Sequence, residues 1–138
     1  MNIDSIKDGV VIDHITAGKG MKLVSLLELD RDDVSVAIIK NVHSRKMGKK
    51  DIIKIDADIP VNLDLIGYVD PGATVNIIKN SVLAEKKTIG RPKVLTGVIR
   101  CKNPRCITSV EQELKHVFLL RSDGYRCMYC ETKAAEEQ

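Results

Sequence analysis

The sequence predicts an α+β protein with two small domains: an antiparallel sheet with two helices, followed by a small all-β domain. Strand-like and helix-like segments alternate through the first two thirds of the chain, and all four cysteines lie after residue 100. A segment containing Gly and Pro, residues 88–92, separates the two regions and is expected to be a linker, because both residues break regular structure. We therefore place the domains at 1–92 and 93–138.

The first domain begins with a strand, a helix and two more strands. Residues 10–15 are rich in β-branched side chains, which predicts a strand. Thr16 is placed to cap a helix over residues 17–29, where apolar side chains recur with the helical period. Two further apolar runs, 34–39 and 51–55, predict strands joined by a polar hairpin.

A second helix and two short strands complete the first domain. Pro60 is expected to open a helix over 61–69, which a Pro-Gly pair ends. Residues 73–79 and 82–86 predict two strands joined by a turn. The order β-α-β-β-α-β with one added strand is the ferredoxin-like pattern, in which two helices cover one face of an antiparallel sheet. The other face is left to solvent or to a partner.

The second domain is predicted to contain three short strands. Strands at 95–100 and 116–121 are followed by a turn at 122–124 and a third short strand. A domain this small seldom buries enough apolar surface to fold alone.

The four cysteines form two close pairs, C-x4-C at Cys101 and Cys106 and C-x2-C at Cys127 and Cys130. Two such pairs on two turns present four thiolates to one tetrahedral ion, and zinc suits four sulfur ligands best. Four protein ligands leave no open position for catalysis, so we expect one structural zinc ion that contributes to the folding of this domain.

Three other interpretations of the cysteines are weaker. Two disulfides are uncommon in a protein that is not secreted. A redox C-x-x-C motif would explain only Cys127 and Cys130, and such motifs usually open a helix after a strand. Inert buried thiols would not be paired in this way.

Composition argues against several classes of protein. The 138 residues are 43% hydrophobic and 30% charged, which is typical of a globular protein. No apolar run approaches the ~20 residues of a membrane span, and residues 1–15 lack signal-peptide features, so we expect a cytoplasmic protein without membrane contact. The net charge of +3 is too small to indicate nucleic-acid binding, and one Phe and no Trp leave few aromatic rings to stack on bases.

Polar residues interrupt or flank the predicted strands of the first domain: Asp13, His14, Lys50, Lys54, Asn76 and Lys86. Ammonium groups suit phosphates and a carboxylate suits sugar hydroxyls, so together these side chains would suit a phosphorylated ligand with a ribose. The alternative is that they are merely solvated, as lysines and asparagines on the open face of a sheet usually are.

Four parts of the chain match one known family. They are GVVIDHI (9–15), MGKKDIIKID (47–56), PGATVNII (71–78), and the cysteine motifs CKNPRC (101–106) and CMYC (127–130). In their order and spacing the chain resembles the regulatory chain of aspartate carbamoyltransferase over nearly its full length. The resemblance implies an N-terminal domain that binds CTP, ATP and UTP, and a C-terminal zinc domain that docks on the catalytic chain.

The resemblance also implies roles for particular residues. Asp13 and Lys86 are expected to contact ribose and phosphate, and backbone carbonyls near Ile6 and Ser81 to contact the amino group of the base. The implied nucleotide site comprises Ile6, Val11, Asp13, His14, Lys50, Lys54, Asn76, Ile78, Leu83 and Lys86. The implied docking surface comprises Lys102, Asn103, Arg105 and Glu131.

The function that follows from the resemblance is non-catalytic regulation in pyrimidine biosynthesis. Regulatory chains would pair as a homodimer within a dodecameric holoenzyme, and catalysis would stay on the other chain. A nucleotide would act by shifting the ratio of two global states of the assembly that differ in nucleotide affinity.

Two rival functions fit part of the pattern. A zinc-ribbon nucleic-acid-binding protein would use Arg100, Lys102, Arg105 and Arg126 against phosphates. The low net charge and the scarcity of aromatic residues argue against it. A zinc-dependent enzyme is the third possibility, and it requires an open coordination position that four cysteines do not leave.

Overall fold

The computed structural model describes residues 6–30 and 33–135. The chain divides into two compact units, one ending at Arg91 and the other beginning at Pro92.

The first unit is a five-stranded antiparallel sheet with two short helices. Its strand order is β2-β3-β1-β4-β5, so β1 is central and is paired on both sides. The predicted ferredoxin-like α+β pattern with one added strand is confirmed. The elements are β1 (Gly9–Thr16), α1 (Gly20–Leu26), β2 (Val36–Ser44), β3 (Gly48–Ile55), α2 (Leu63–Val69), β4 (Thr74–Lys79) and β5 (Val82–Thr88).

The core of this unit lies between one face of the sheet and the helices. Ile12, Ile53 and Val75 come from neighbouring strands, and Leu23 and Ile66 come from α1 and α2. All five are fully buried. Because successive side chains of a strand point to opposite faces, the residues that alternate with these core positions lie on the open face of the sheet.

The start of α1 differs from the sequence prediction. Thr16 ends β1 and does not cap the helix, which begins at Gly20. Its backbone N–H donates to Oδ2 of Asp70 at 2.6 Å and its hydroxyl donates to Oδ1 at 3.2 Å. The prediction was wrong because a carboxylate 54 residues away along the chain engages both of the donors of Thr16.

The second helix is capped by a residue that the prediction did not single out. Oδ1 of Asn62 accepts a hydrogen bond from the backbone N–H of Leu65 at 3.1 Å, and α2 begins at Leu63. Pro60 lies before the cap. Asparagine is a favoured N-cap because its side chain satisfies one of the free N–H groups of the first turn.

The Asp51 carboxylate joins three segments of the first unit. It is fully buried on the helix side of β3, and Oδ2 accepts hydrogen bonds from the N–H groups of Gly18 and Gly20 at 3.0 and 2.9 Å. Oδ1 accepts a third from Asn41 at 3.0 Å. Burial raises the pKa of Asp51, but the three N–H donors outweigh burial and hold the pKa below its ordinary value. A Cβ at position 20 would lie 2.9 Å from Oδ2, so glycine is needed for this approach.

The second unit is a three-stranded antiparallel sheet in the order β6-β7-β8. Its elements are β6 (Val94–Thr96), α3 (Ile107–Val110), β7 (Val117–Arg121) and β8 (Gly124–Cys127). The first strand is shorter than predicted because the chain turns at Gly97, where φ is 70°. The one-turn helix α3 was not predicted. The second unit has few buried apolar residues among those described: Leu95, Phe118, Tyr125, Cys106 and Cys127.

We predict that Asp51→Asn lowers the free energy of unfolding of the first unit by about 2–3 kcal/mol, because three backbone N–H donors lose a charged acceptor. In the natural chain the ionised Asp51 stabilises the fold fully above its unfolded pKa of about 3.9. This contribution disappears as the pH falls through the lower pKa of the folded state. Urea unfolding at neutral and acidic pH should show a weaker acid dependence in the variant.

Asp56→Asn is the matched control, since Asp56 is exposed and directly follows the same strand. Equal stability of Asp51→Asn and the control would contradict the structural role of Asp51.

Candidate functional site

The four cysteine sulfurs form one cluster in the second unit. All four lie within 4.8 Å of one another, with Cys101 and Cys130 3.5 Å apart and Cys106 and Cys127 3.7 Å apart. Four sulfurs at about 2.3 Å from a tetrahedral ion would be about 3.8 Å apart, whereas a disulfide needs about 2.05 Å. The cysteines are free thiols, and their geometry fits a four-coordinate metal ion.

Both cysteine pairs lie on turns that direct backbone N–H groups to sulfur. Cys106 precedes α3, and Cys127 ends β8, so regular elements fix one cysteine of each pair. The hydroxyl of Thr108 lowers the pKa of Cys106, and the backbone N–H of Thr108 adds to this. The backbone N–H of Asn103 partly offsets burial, which raises the pKa of Cys101. Such contacts favour the thiolate that a metal requires.

Two threonines were missed by the sequence reasoning. Oγ1 of Thr108 lies 3.1 Å from Sγ of Cys106, and Oγ1 of Thr132 lies 3.1 Å from Sγ of Cys130. Each threonine follows its cysteine by two residues, so a repeated C-x-T pattern is the signal that could have revealed them. When the cysteines are thiolates, each hydroxyl can donate a hydrogen bond to its sulfur and so orient it.

The thiols differ in acidity. Hydrogen bonding with Thr132 lowers the pKa of Cys130 to about 6, whereas burial raises the pKa of Cys101 to about 12. A bound divalent cation favours the thiolate form of each ligand, because a coordinating thiol is deprotonated.

The open face of the first unit brings together most of the predicted nucleotide-site residues. Strand register pairs Val11 with Lys54 on one side and with Asn76 on the other, and pairs Asn76 with Lys86. These four residues form a single row across β3, β1, β4 and β5. Val11, Lys54 and Asn76 alternate along their strands with core residues, and Lys86 is the register partner of Asn76, so the row lies on the face away from the helices.

Asp13 and His14 lie beside this row at a β-bulge. The register of β1 with β3 shifts between Ile12 and Ile15, and His14 adopts a left-handed backbone with φ of 56°. Simple alternation predicts opposite faces for the two side chains. In the structure, Nδ1 of His14 lies 3.0 Å from Oγ1 of Thr74, which is the register partner of Asp13. The bulge therefore brings the His14 side chain to the same face as Asp13.

Asp13 pairs with Lys50, whose Nζ lies 2.9 Å from Oδ1. The backbone N–H of His14 also donates to this oxygen, at 2.6 Å. Burial raises the pKa of Asp13, but hydrogen bonding to Lys50 and His14 outweighs burial and lowers the pKa below its ordinary value. The carboxylate is therefore ionised at neutral pH.

Asn76 occupies the middle of the row and has an unmet hydrogen-bonding requirement. Its Oδ1 is buried and has no hydrogen-bond partner among the described residues. Buried polar oxygens nearly always have a donor, so this atom marks a place where a ligand or a water molecule donates.

The predicted apolar residues lie next to the row. Ile78 pairs with Gly9 and with Leu83. The Gly9–Ile78 pair lies two residues along the strands from the Val11–Asn76 pair, on the same face. Ile6 is buried, and its Cγ2 lies 2.7 Å from where a Cβ on Gly9 would be, so Ile6 packs over this glycine. Leu83 is 56% exposed, which leaves an apolar surface at the edge strand.

The predicted docking residues lie on the two cysteine turns. Lys102, Arg105 and Glu131 are exposed. Asn103 is half-buried and organises its own turn, because its Oδ1 accepts from the N–H of Arg105 at 3.0 Å and its carbonyl accepts from the N–H of Cys106 at 3.1 Å.

The fold and the cysteine cluster define a class: an α+β sheet domain joined to a small β domain held by a closed metal site. Comparison with known proteins narrows this class. Residues 1–90 match the model of the aspartate carbamoyltransferase regulatory chain allosteric domain, and residues 93–138 match the metal binding domain of the same chain. The chain belongs to the family of aspartate carbamoyltransferase regulatory chains.

Curated relatives agree over nearly full length. The regulatory chain of aspartate carbamoyltransferase from Clostridium tetani is 48% identical, with 99% of each chain covered. That from Clostridium botulinum (strain Hall) is 45% identical, covering 95% of this chain and 92% of the relative. The Bifidobacterium longum regulatory chain is 40% identical, covering 97% and 99%.

The chain is therefore a non-catalytic regulatory subunit with an allosteric domain and a metal-binding domain.

The nucleic-acid alternative is not favoured. Arg126, one of its four candidate contacts, is engaged with the side chain of Asp123 and the carbonyl of Glu131. In the part of the chain that the structure describes, no helix is long and apolar enough to cross a membrane.

We predict that Cys130→Ser abolishes stoichiometric metal binding and unfolds the second unit, because the small core of that unit depends on the ion. The first unit should keep its structure. Hydrogen exchange of the full chain, with metal analysis, would show lost protection only beyond residue 91.

Tyr129→Ser is the control, since Tyr129 lies in the same turn and is 43% exposed. Retained protection in metal-free Cys130→Ser would refute the structural role of the metal.

Proposed function

We propose that the open face of the first unit binds the effector nucleotides CTP, ATP and UTP, and that binding there regulates aspartate carbamoyltransferase. The observation that carries this proposal is the cross-sheet row of Lys54, Val11, Asn76 and Lys86 beside the Asp13–Lys50 pair. Three ammonium groups and a carboxylate on one open face suit a triphosphate and a ribose.

The chemistry of the row supports distinct roles. Lys86 is exposed at an edge strand, where phosphates can reach it, and the ionised Asp13 can accept hydrogen bonds from ribose hydroxyls. Asn76 Oδ1 is a buried acceptor that a nucleotide hydroxyl or amino group would satisfy. His14, Lys50 and Lys54 complete the polar part of the site. Ile6, Val11, Ile78 and Leu83 supply an apolar wall.

We propose zinc as the metal. Four sulfur donors with no carboxylate or imidazole are the ligand set that favours zinc over calcium, magnesium or manganese, and a structural role needs no redox change.

The second unit is proposed to dock on the catalytic chain through Lys102, Asn103, Arg105 and Glu131. These residues flank the cysteines on both turns, so metal binding and the shape of this surface depend on each other. Nucleotide and catalytic chain then bind different domains. If the two global states of the assembly differ in nucleotide affinity, the coupling is reciprocal and typically ~1–3 kcal/mol.

The family leads us to propose further that regulatory chains pair as a homodimer within a dodecameric holoenzyme in the cytoplasm. Mass measurement of the complex after co-expression with the catalytic chain tests this stoichiometry.

We predict that Lys86→Ala weakens CTP binding by ~1–3 kcal/mol, the scale of a charged hydrogen bond. Lys87→Ala is the matched control. Lys87 is the next residue of β5 and pairs with Val75 of the core face, so it points away from the row. Calorimetry on the full chain should show a loss for Lys86→Ala alone, and equal affinity of both variants would refute the site.

We predict that chelation of the metal releases the chain from its catalytic partner, because the docking turns lose their shape. Size-exclusion chromatography of the holoenzyme before and after chelation measures this release, and readdition of zinc should restore the complex. An intact complex in the metal-free sample would contradict docking through these turns.

A further inference from the structure

We propose that Arg126 is a positioning residue for docking: bonded to Asp123, it holds the turn that presents Glu131 to the catalytic chain. This inference rests on the proposed docking role of Glu131. Arg126 itself lies on β8, next to a cysteine of the cluster.

The turn that carries Glu131 is unusual in its backbone. After Cys130 the chain reverses direction, with the N–H of Glu131 donating to the Cys127 carbonyl at 2.8 Å and the N–H of Cys127 donating to the Thr132 carbonyl at 2.9 Å. Glu131 has a φ of 65°, in the left-handed region that a residue with a side chain seldom adopts. Such a conformation persists where surrounding contacts enforce it.

Arg126 supplies one of those contacts. Its Nη1 donates to the carbonyl oxygen of Glu131 at 2.8 Å. The guanidinium is held in turn by Asp123, with Nε donating to Oδ1 at 3.2 Å and Nη2 paired with Oδ2. The donors of a guanidinium are planar and fixed relative to one another, so a carboxylate bound on one side sets the direction of the donor on the other.

These contacts connect the two turns at opposite ends of β8. Asp123 belongs to the turn between β7 and β8, and Glu131 belongs to the cysteine turn at the other end of β8. By holding the Glu131 carbonyl, Arg126 restrains the peptide plane and so the direction in which the Cα–Cβ bond of the exposed Glu131 leaves the turn. The Arg126–Asp123 pair is exposed, and an exposed ion pair by itself contributes little to stability. Its effect should therefore appear in docking more than in folding.

A double-mutant cycle on the full chain tests the proposal. The affinity for the purified catalytic chain is measured for the natural chain, Asp123→Ala, Glu131→Ala and the double variant, each confirmed to hold one metal ion per chain. We expect Asp123→Ala to weaken association roughly three- to tenfold, and Glu131→Ala to weaken it at least about tenfold. In the Glu131→Ala background, Asp123→Ala should change the affinity by less than about twofold.

Arg126→Lys separates positioning from direct charge attraction. Lysine keeps the charge but lacks the planar fork, so it should weaken association as much as Asp123→Ala does. Full affinity of Arg126→Lys, or an equal loss from Asp123→Ala in both backgrounds, would overturn the positioning role. No loss from Glu131→Ala would instead overturn the proposed docking role of Glu131. If the Asp123→Ala variant does not retain its metal ion, the cycle is repeated with Asp123→Asn, which is a milder change.

Discussion

The pairing of β1 with a strand on each side is the constraint on which the first unit depends. Because β1 is bonded to both β3 and β4, its pleat decides which side chains of three strands enter the core and which reach the open face. Ile12 is thereby aligned with Ile53 and Val75 in the core. Val11 is aligned with Lys54 and Asn76 on the other face. The register of β1 with β3 and β4 therefore sets both the core of the first unit and the candidate ligand surface.

The second unit depends on a different interaction. Its apolar core is small, and its two cysteine turns bring their sulfurs into one cluster, so a metal ion replaces the burial that a larger domain would have. The residues that hold the ion also shape the exposed surface around them.

Both units use charged side chains to hold irregular backbone. Asp51 collects three N–H groups from loops in the first unit, and Arg126 bridges two turns in the second. In each case one ionic group satisfies backbone atoms from segments that do not meet through regular pairing. Loops held in this way have defined shapes, which the transmission of an allosteric signal requires.

Much of the fold followed from local patterns in the sequence. Runs of β-branched residues located the strands of the first unit. Of its two helices, α1 is three residues shorter than predicted at each end, and α2 begins two residues later than predicted and ends where predicted. The cysteine spacing identified the metal cluster. The errors had two causes. A distant residue, Asp70, engages Thr16, which therefore does not cap α1. The helix α3 has only four residues, too few to show a helical period.

The sequence by itself determined the element types of the first unit, the four cysteines of the cluster and the set of polar residues available to a ligand. Only the tertiary structure decided that Lys54, Asn76 and Lys86 lie in one row, that a bulge brings Asp13 and His14 to the same region, and that Arg126 reaches Glu131. The reason is physical: local composition sets the conformation of a segment, whereas register, bulges and side-chain bridges depend on hydrogen bonds between residues that meet only after folding.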